Sequence, residues 1–266
     1  MKTKDNKPVS GTGEWAAHVQ NIQNGCEHDC KYCYAKTQAI RFGKNTSEGW
    51  KTPVENPGVL DKVYGKKNGT IMFPTTHDIT PLNIVRCGNI LIKMLEAGNK
   101  VLIVSKPHFD CIADLCDMLE DYREQILFRF TIGSADDAVL KFWEPNAPSF
   151  ADRLDCLKYA FKAAYYTSVS CEPMLDASVD KVVDKVRAYV TDSIWIGKPN
   201  KLMLRTQMNG ASADTMEAAE KWMAIYTDEF IQNLYDKYKS DPLVKWKDSI
   251  KQVVGLERPM VKGLDK

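Results

Sequence analysis

Three of the chain's eight cysteines crowd one short stretch, NGCEHDCKYCYAK, where Cys26, Cys30 and Cys33 stand in a C-x3-C-x2-C spacing. Thiolates set this close together serve a metal. Structural zinc takes four protein ligands, often as two separated C-x2-C pairs, but the next cysteine is Cys87 and no second pair exists. His28, inside the loop, would be a fourth zinc ligand only at a strained position. A cubane iron–sulfur cluster is the other chemistry. Three thiolates hold three irons, and the fourth iron stays open for a substrate or cofactor, as an open position marks catalytic zinc sites. The remaining cysteines, Cys87, Cys111, Cys116, Cys156 and Cys171, lie in apolar surroundings and read as buried thiols.

Short apolar β-rich runs alternate with helical patterns and must position this loop. Strands are expected over His18–Ile22, Thr70–Phe73, Lys100–Val104, Ile126–Thr131, Tyr165–Cys171 and Ser193–Gly197. Helices are expected over Tyr34–Arg41, Leu82–Glu96, Phe109–Leu119, Phe150–Ala164 and Val179–Val190. Pro81 opens the second helix and Gly98 closes it, while Ser149 with Asp152 three residues on reads as a helix cap. Strand–helix alternation of this kind implies parallel strands with crossover helices. The expected fold class is therefore α/β, a partial (β/α)6 TIM-like barrel, with the cysteine loop directly after the first strand.

The barrel is assigned to residues 1–210, with a polar insertion at 43–69. Residues 211–266 are expected to form a C-terminal helical extension packed on the barrel. There, Asp214 and Glu217 suggest a capping pair for one long helix running to Tyr238, and Trp222, Tyr226, Phe230 and Leu234 recur every four residues as a buried stripe.

The cysteine loop, with Tyr32 just before the third cysteine, resembles the signature of the radical S-adenosylmethionine (SAM) superfamily. Within it, further stretches resemble the spore photoproduct lyase-like branch. They are TTHD at Thr75–Asp78, IVSKP around Lys106, FRFTIGS, an E-P-x7-R-L segment through Glu144, Pro145 and Arg153, and VSCEPM. The resemblance covers roughly residues 18–200. It implies a [4Fe–4S] cluster on Cys26, Cys30 and Cys33 whose open iron binds SAM. It also implies reductive cleavage of SAM to a 5′-deoxyadenosyl radical and hydrogen abstraction from a substrate. An electron donor such as flavodoxin or ferredoxin would be a partner.

Carried over residue by residue, the resemblance implies a SAM pocket of Tyr32, His77, Asp78, Lys106, Thr131, Arg153 and Glu172. Lys106 would reach the SAM carboxylate or ribose, and Glu172 the adenine side. Tyr34 is a radical-relay candidate. Each position also has a plain structural reading: a solvated turn lysine, a packed threonine, a Glu144–Arg153 pair. The family's hydrogen-donor cysteine has no local counterpart, because Thr75 aligns there. Cys171 is the one cysteine placed near the barrel mouth and is the candidate substitute donor. Dimer repair in DNA is thus an alternative reading, and a metal-binding module without SAM chemistry another.

Composition sets the frame. A chain of 266 residues with 44% hydrophobic content supports one sizeable core. Its net charge of +1 offers no large electrostatic footprint for nucleic acid and does not exclude it; the resemblance implies a base, a nucleotide or another small metabolite as the substrate class. The polar N-terminus is not a signal peptide, and no stretch approaches the roughly 18 apolar residues of a membrane span. The expectation is a cytoplasmic protein. Lys198 and Asn200, after the sixth strand, are candidates to face the substrate.

Overall fold

A computed structural model describes residues 7–264. One sheet of seven parallel strands runs in chain order: β1 (His18–Val19), β2 (Thr70–Phe73), β3 (Lys100–Ser105), β4 (Ile126–Thr131), β5 (Tyr166–Cys171), β6 (Ile194–Ile196) and β7 (Val244–Trp246). Each strand leads through helix to the next: α1 (Tyr34–Arg41), α2 (Ile84–Glu96), α3 (Phe109–Met118), α4 (Asp137–Trp143), α5 (Phe150–Lys162), α6 (Val179–Val186), α7 (Leu202–Met208), α8 (Ala213–Ile225) and α9 (Asp228–Tyr238). The short α10 (Asp248–Val254) follows β7. The expected α/β class and its six parallel strands are present.

Strand alternation sorts side chains onto two faces. Ile71, Phe73, Val101, Ile103, Phe128, Phe130, Val169 and Cys171 join the main core under the helices. Met72 and Leu102 turn the other way, packing with Ala16 and flanked by Trp15, Val104 and Leu127. The concave side is thus filled by the segment before β1. Trp15 meets Trp195 edge-on at 5.7 Å, and the Arg129 guanidinium lies 4.6 Å from the Trp15 ring. Among the described residues no ladder joins β1 to β7. Lys247 and Asp248, just past β7, span the gap: Lys247 Nζ donates to the Gly11 carbonyl at 2.9 Å, and Asp248 N donates to Glu14 Oε2 at 2.9 Å.

The structure departs from expectation in the C-terminal segment. It is not wholly helical, because Val244–Trp246 adds the seventh strand, in register with Ile194 onward. The run V-K-W is too short for alternation to reveal. The long helix from Asp214 to Tyr238 is two helices. The chain breaks at Tyr226 (φ −90, ψ 55), and Thr227 caps α9 by accepting from Phe230 N. Ser212, not Asp214, caps α8. The Ser149–Asp152 capping box is formed as expected.

The insertion folds back on the cysteine loop. Val54–Glu55 pairs antiparallel with Gln23–Asn24, and the Trp50 carbonyl accepts from Cys26 N at 2.9 Å. Gly25 permits this approach. Its φ is +107°, and a Cβ there would stand 2.8 Å from the Trp50 carbonyl oxygen.

Candidate active site

The C-terminal ends of the strands open into a cavity of about 800 Å³, within the usual size of small-molecule sites. Ten of the residues singled out in the sequence line it: Cys26, Cys30, Cys33, Tyr32, Tyr34, His77, Asp78, Lys106, Thr131 and Glu172. Two do not. The Arg153 side chain is wholly buried behind the cavity, and Cys171 points into the helix-side core. Alternation on β5 turns Ser170, not Cys171, toward the opening.

The cysteine loop is held from every side. Cys33 caps α1, its Sγ accepting from Lys36 N at 3.4 Å, and Lys36 Nζ pairs with Asp29 Oδ1 at 2.8 Å. At the end of α7, Asn209 Nδ2 donates to the carbonyls of Lys31 and Cys33, each at 3.0 Å. Lys31 N donates to the Trp143 carbonyl at 2.9 Å. Burial pushes all three thiols up, and the Asp78 carboxylate adds to this at Cys26. Buried thiols become thiolates when a cation compensates them, and iron would supply that charge.

Asp78 and Lys106 form the polar centre. Asp78 Oδ1 accepts from Ser105 Oγ at 3.0 Å and Lys106 N at 2.7 Å, while Oδ2 lies 2.9 Å from His28 Nδ1 and 3.5 Å from Lys106 Nζ. Burial opposes its ionisation, yet the Lys106 charge and His28 hold its carboxyl well below the usual range. Lys106 is likewise held above its usual value, against burial, by Asp78 and Cys30. The Cys26, His28 and Asp78 ligand atoms lie within 4.8 Å of one another, a set that could take one ion. Both His28 nitrogens are already engaged, however, Nδ1 by Asp78 and Nε2 by His108 Nε2 at 2.8 Å.

A second buried pair backs the loop. Tyr32 donates its hydroxyl to Glu144, whose other oxygen pairs with Arg153 Nη2 at 2.5 Å. Arg153 also donates to the carbonyls of Pro148 at 2.9 Å and Thr131 at 3.1 Å. It therefore acts on the cavity through Tyr32 and Thr131. Against the cost of burial, Arg153 and Lys106 hold Glu144 below its ordinary value.

His77 clamps the chain. Its Nε2 accepts from Ile22 N at 3.2 Å, and Nδ1 faces the Asp78 carbonyl at 3.0 Å. Burial brings it down to about 4, so it is neutral. Tyr34 donates its hydroxyl to the Thr75 carbonyl, and burial pushes it up to about 12.

Sequence reasoning missed several lining residues. Ser170 Oγ is buried and has no partner among the described residues, which suits a ligand atom entering the cavity. Glu172 is held at 3.4 Å by Lys247, which also pairs with Glu14 at 2.9 Å and lies 3.8 Å from the Trp15 ring centre. Burial raises Glu14 to about 7 against the pull of Lys247. Arg205 on α7 stands 5.7 Å from the Tyr34 ring. Ser170 lies within the VSCEPM stretch but was passed over for its neighbours Cys171 and Glu172, whereas Glu14, Lys247 and Arg205 fall in no motif.

These groups fit the cofactors that the loop implies. Three buried thiols suit three irons, and Lys106, Thr131, Ser170 and Glu172 supply one cation, two hydroxyls and one carboxylate for a zwitterionic nucleoside. No family model matches the chain. An uncharacterized protein of Acidianus two-tailed virus is 26% identical over 166 residues, 58% of this chain and 54% of that protein. An uncharacterized protein of Methanocaldococcus jannaschii is 24% identical over 182 residues, 68% of this chain and 69% of that protein. The chain thus spans about half the length of the viral relative.

Among solved structures, spore photoproduct lyase complexed with dinucleoside spore photoproduct superposes with a TM-score of 0.57 at 14% identity, over 91% of this chain and 79% of that one. Streptococcus suis SuiB bound to S-adenosylmethionine gives 0.54 at 11% identity, over 91% of this chain and 53% of that one. At such identities the likeness is one of fold. The chain shares the α/β fold of spore photoproduct lyase and SuiB, and its cysteine loop and strand-end motifs resemble the spore photoproduct lyase-like branch of the radical SAM superfamily.

Proposed function

We propose that this chain is a radical SAM enzyme, with a [4Fe–4S] cluster on Cys26, Cys30 and Cys33 and SAM in the same cavity. The observation that carries the reading is the gathering of the three thiols, Lys106 and the unpartnered Ser170 hydroxyl around one opening at the strand C-termini. When bound, the cluster supplies one electron that splits the SAM sulfonium into methionine and a 5′-deoxyadenosyl radical, which takes hydrogen from a substrate. Lys106, fixed by Asp78, supplies a permanent cation for the SAM carboxylate or ribose. Glu172, steered by Lys247, offers an acceptor on the adenine side. Thr131 and Ser170 are hydroxyl contacts between them. The Trp50 and Tyr32 side chains shield the cavity from water on the cluster side. Tyr34 stands at the cavity wall and is the relay candidate for a hydrogen atom.

A base, a nucleotide or another small metabolite is the substrate class in this reading. Lesion repair with Cys171 as donor gains no support from geometry, since that thiol faces the helices. Metal content tests the reading first. Anaerobic reconstitution is expected to load about four irons with matching sulfide per chain. One zinc per chain and no sulfide would overturn it.

A further inference from the structure

Four lysine and arginine side chains line the cavity: Lys106, Lys198, Lys201 and Arg205. Lys106 pairs with Asp78. Lys198, Lys201 and Arg205 have no carboxylate within ion-pair distance among the described residues. All three line the same cavity, Lys198 and Lys201 from the turn after β6 and Arg205 from the last turn of α7. Arg205 is half-buried, and burial lowers it from its usual value. Its five N–H donors find no hydrogen-bond acceptor among the described residues, and its guanidinium lies 5.7 Å from the centre of the Tyr34 ring. A guanidinium withdrawn from water without an anion is costly, and native sites supply the anion. Glu172 acts on Arg205 only through space, and no lining acid forms an ion pair with it among the described residues. Asp248 is held by Arg258 at 3.1 Å, Glu172 by Lys247, and Asp228 is exposed in the first turn of α9.

We infer that Lys198, Lys201 and Arg205 form an oxyanion subsite that binds a phosphate group of the substrate. Three cations without a carboxylate suit a phosphate monoester, which carries about −1.5 to −2 at pH 7, better than a single carboxylate. Asn200 adds a neutral donor on the same wall. The inference rests on the radical SAM reading only in taking this cavity as the substrate site. It makes Arg205 a specificity-determining residue: a phosphorylated substrate is oriented by its phosphate from α7, on the Tyr34 side of the cavity.

The test is equilibrium dialysis of the reconstituted, SAM-loaded chain with labelled pyrophosphate, and separately with acetate. Saturable binding of one pyrophosphate per chain is expected, at least about tenfold tighter than acetate. Arg205→Ala and Lys198→Ala are each expected to weaken it about tenfold or more, and Arg205→Lys to restore part of it. The cluster-free Cys30→Ala chain is expected to bind pyrophosphate still, which separates this subsite from the fate of the cluster reading. Absence of saturable binding, equal affinity for acetate, or indifference to both substitutions would overturn the proposal. So would loss of SAM together with pyrophosphate in Arg205→Ala, which would assign the guanidinium to the cofactor.

Discussion

Asp78 grips Lys106 twice, accepting its backbone N–H at 2.7 Å through one oxygen and facing its ammonium at 3.5 Å through the other. The pair joins the end of β2 to the end of β3 and fixes a buried cation beside the cysteines. Asp78→Asn removes one charge and leaves Lys106 buried without its anion. The expected cost is about 3–5 kcal/mol in urea unfolding at pH 7, with weakened SAM binding. Because the folded Asp78 carboxyl is held below its unfolded value, its contribution is full above about pH 4 and fades as pH falls further. The gap between parent and variant is therefore expected to close in acid.

His77 has a consequence of the same sign at higher pH. Burial brings it from 6.5 to about 4, so the unfolded chain binds the proton first. Stability is expected to decline as pH falls from about 6.5 to about 4, by up to about 1.4 kcal/mol per pH unit. His108, lowered to about 4 by burial and then by His28, adds a second slope of the same sign. His77→Gln should flatten the profile by its share, read from denaturation midpoints across that range.

Lys247 bridges Glu14 and Glu172 at 2.9 and 3.4 Å while almost fully buried. Lys247→Met is expected to destabilise by about 3–5 kcal/mol, because it strands a carboxylate. Adding Glu14→Gln should recover part of that loss, a coupling that a double-mutant cycle measures. Gly197→Ala probes the same contact from below. Its new Cβ would stand 2.9 Å from Lys247 Cβ and 3.0 Å from Glu172 Cγ, and SAM affinity is expected to fall.

Tyr34 and Cys171 separate relay from packing. Tyr34→Phe is expected to keep SAM cleavage and alter substrate product, since the hydroxyl stands at the cavity wall. Cys171→Ala is expected to lower stability and leave the product unchanged, because the thiol lies in the helix-side core. A changed product from Cys171→Ala alone would revive the donor role.

Much of this site was legible because parallel α/β strands deliver motif residues to one edge. The cysteine loop, TTHD, Lys106, Thr131 and Glu172 each end or follow a strand, and the family resemblance of those stretches pointed to them. What pattern could not show is pairing across the chain. Glu14 and Lys247 meet over more than two hundred residues, and Arg205 reaches Tyr34 from a helix with no motif. Cys171 stood one residue from a cavity position, and a period of two reverses a side chain at every step. The three-residue β7 and the break at Tyr226–Thr227 were too short to register as patterns.

The most direct test is anaerobic. Reconstituted with iron and sulfide, then given dithionite and SAM, the chain is expected to release 5′-deoxyadenosine and methionine, detected by chromatography, and Cys30→Ala none. Equal 5′-deoxyadenosine from both chains, or zinc at the cysteines and no cleavage by either, would contradict the account.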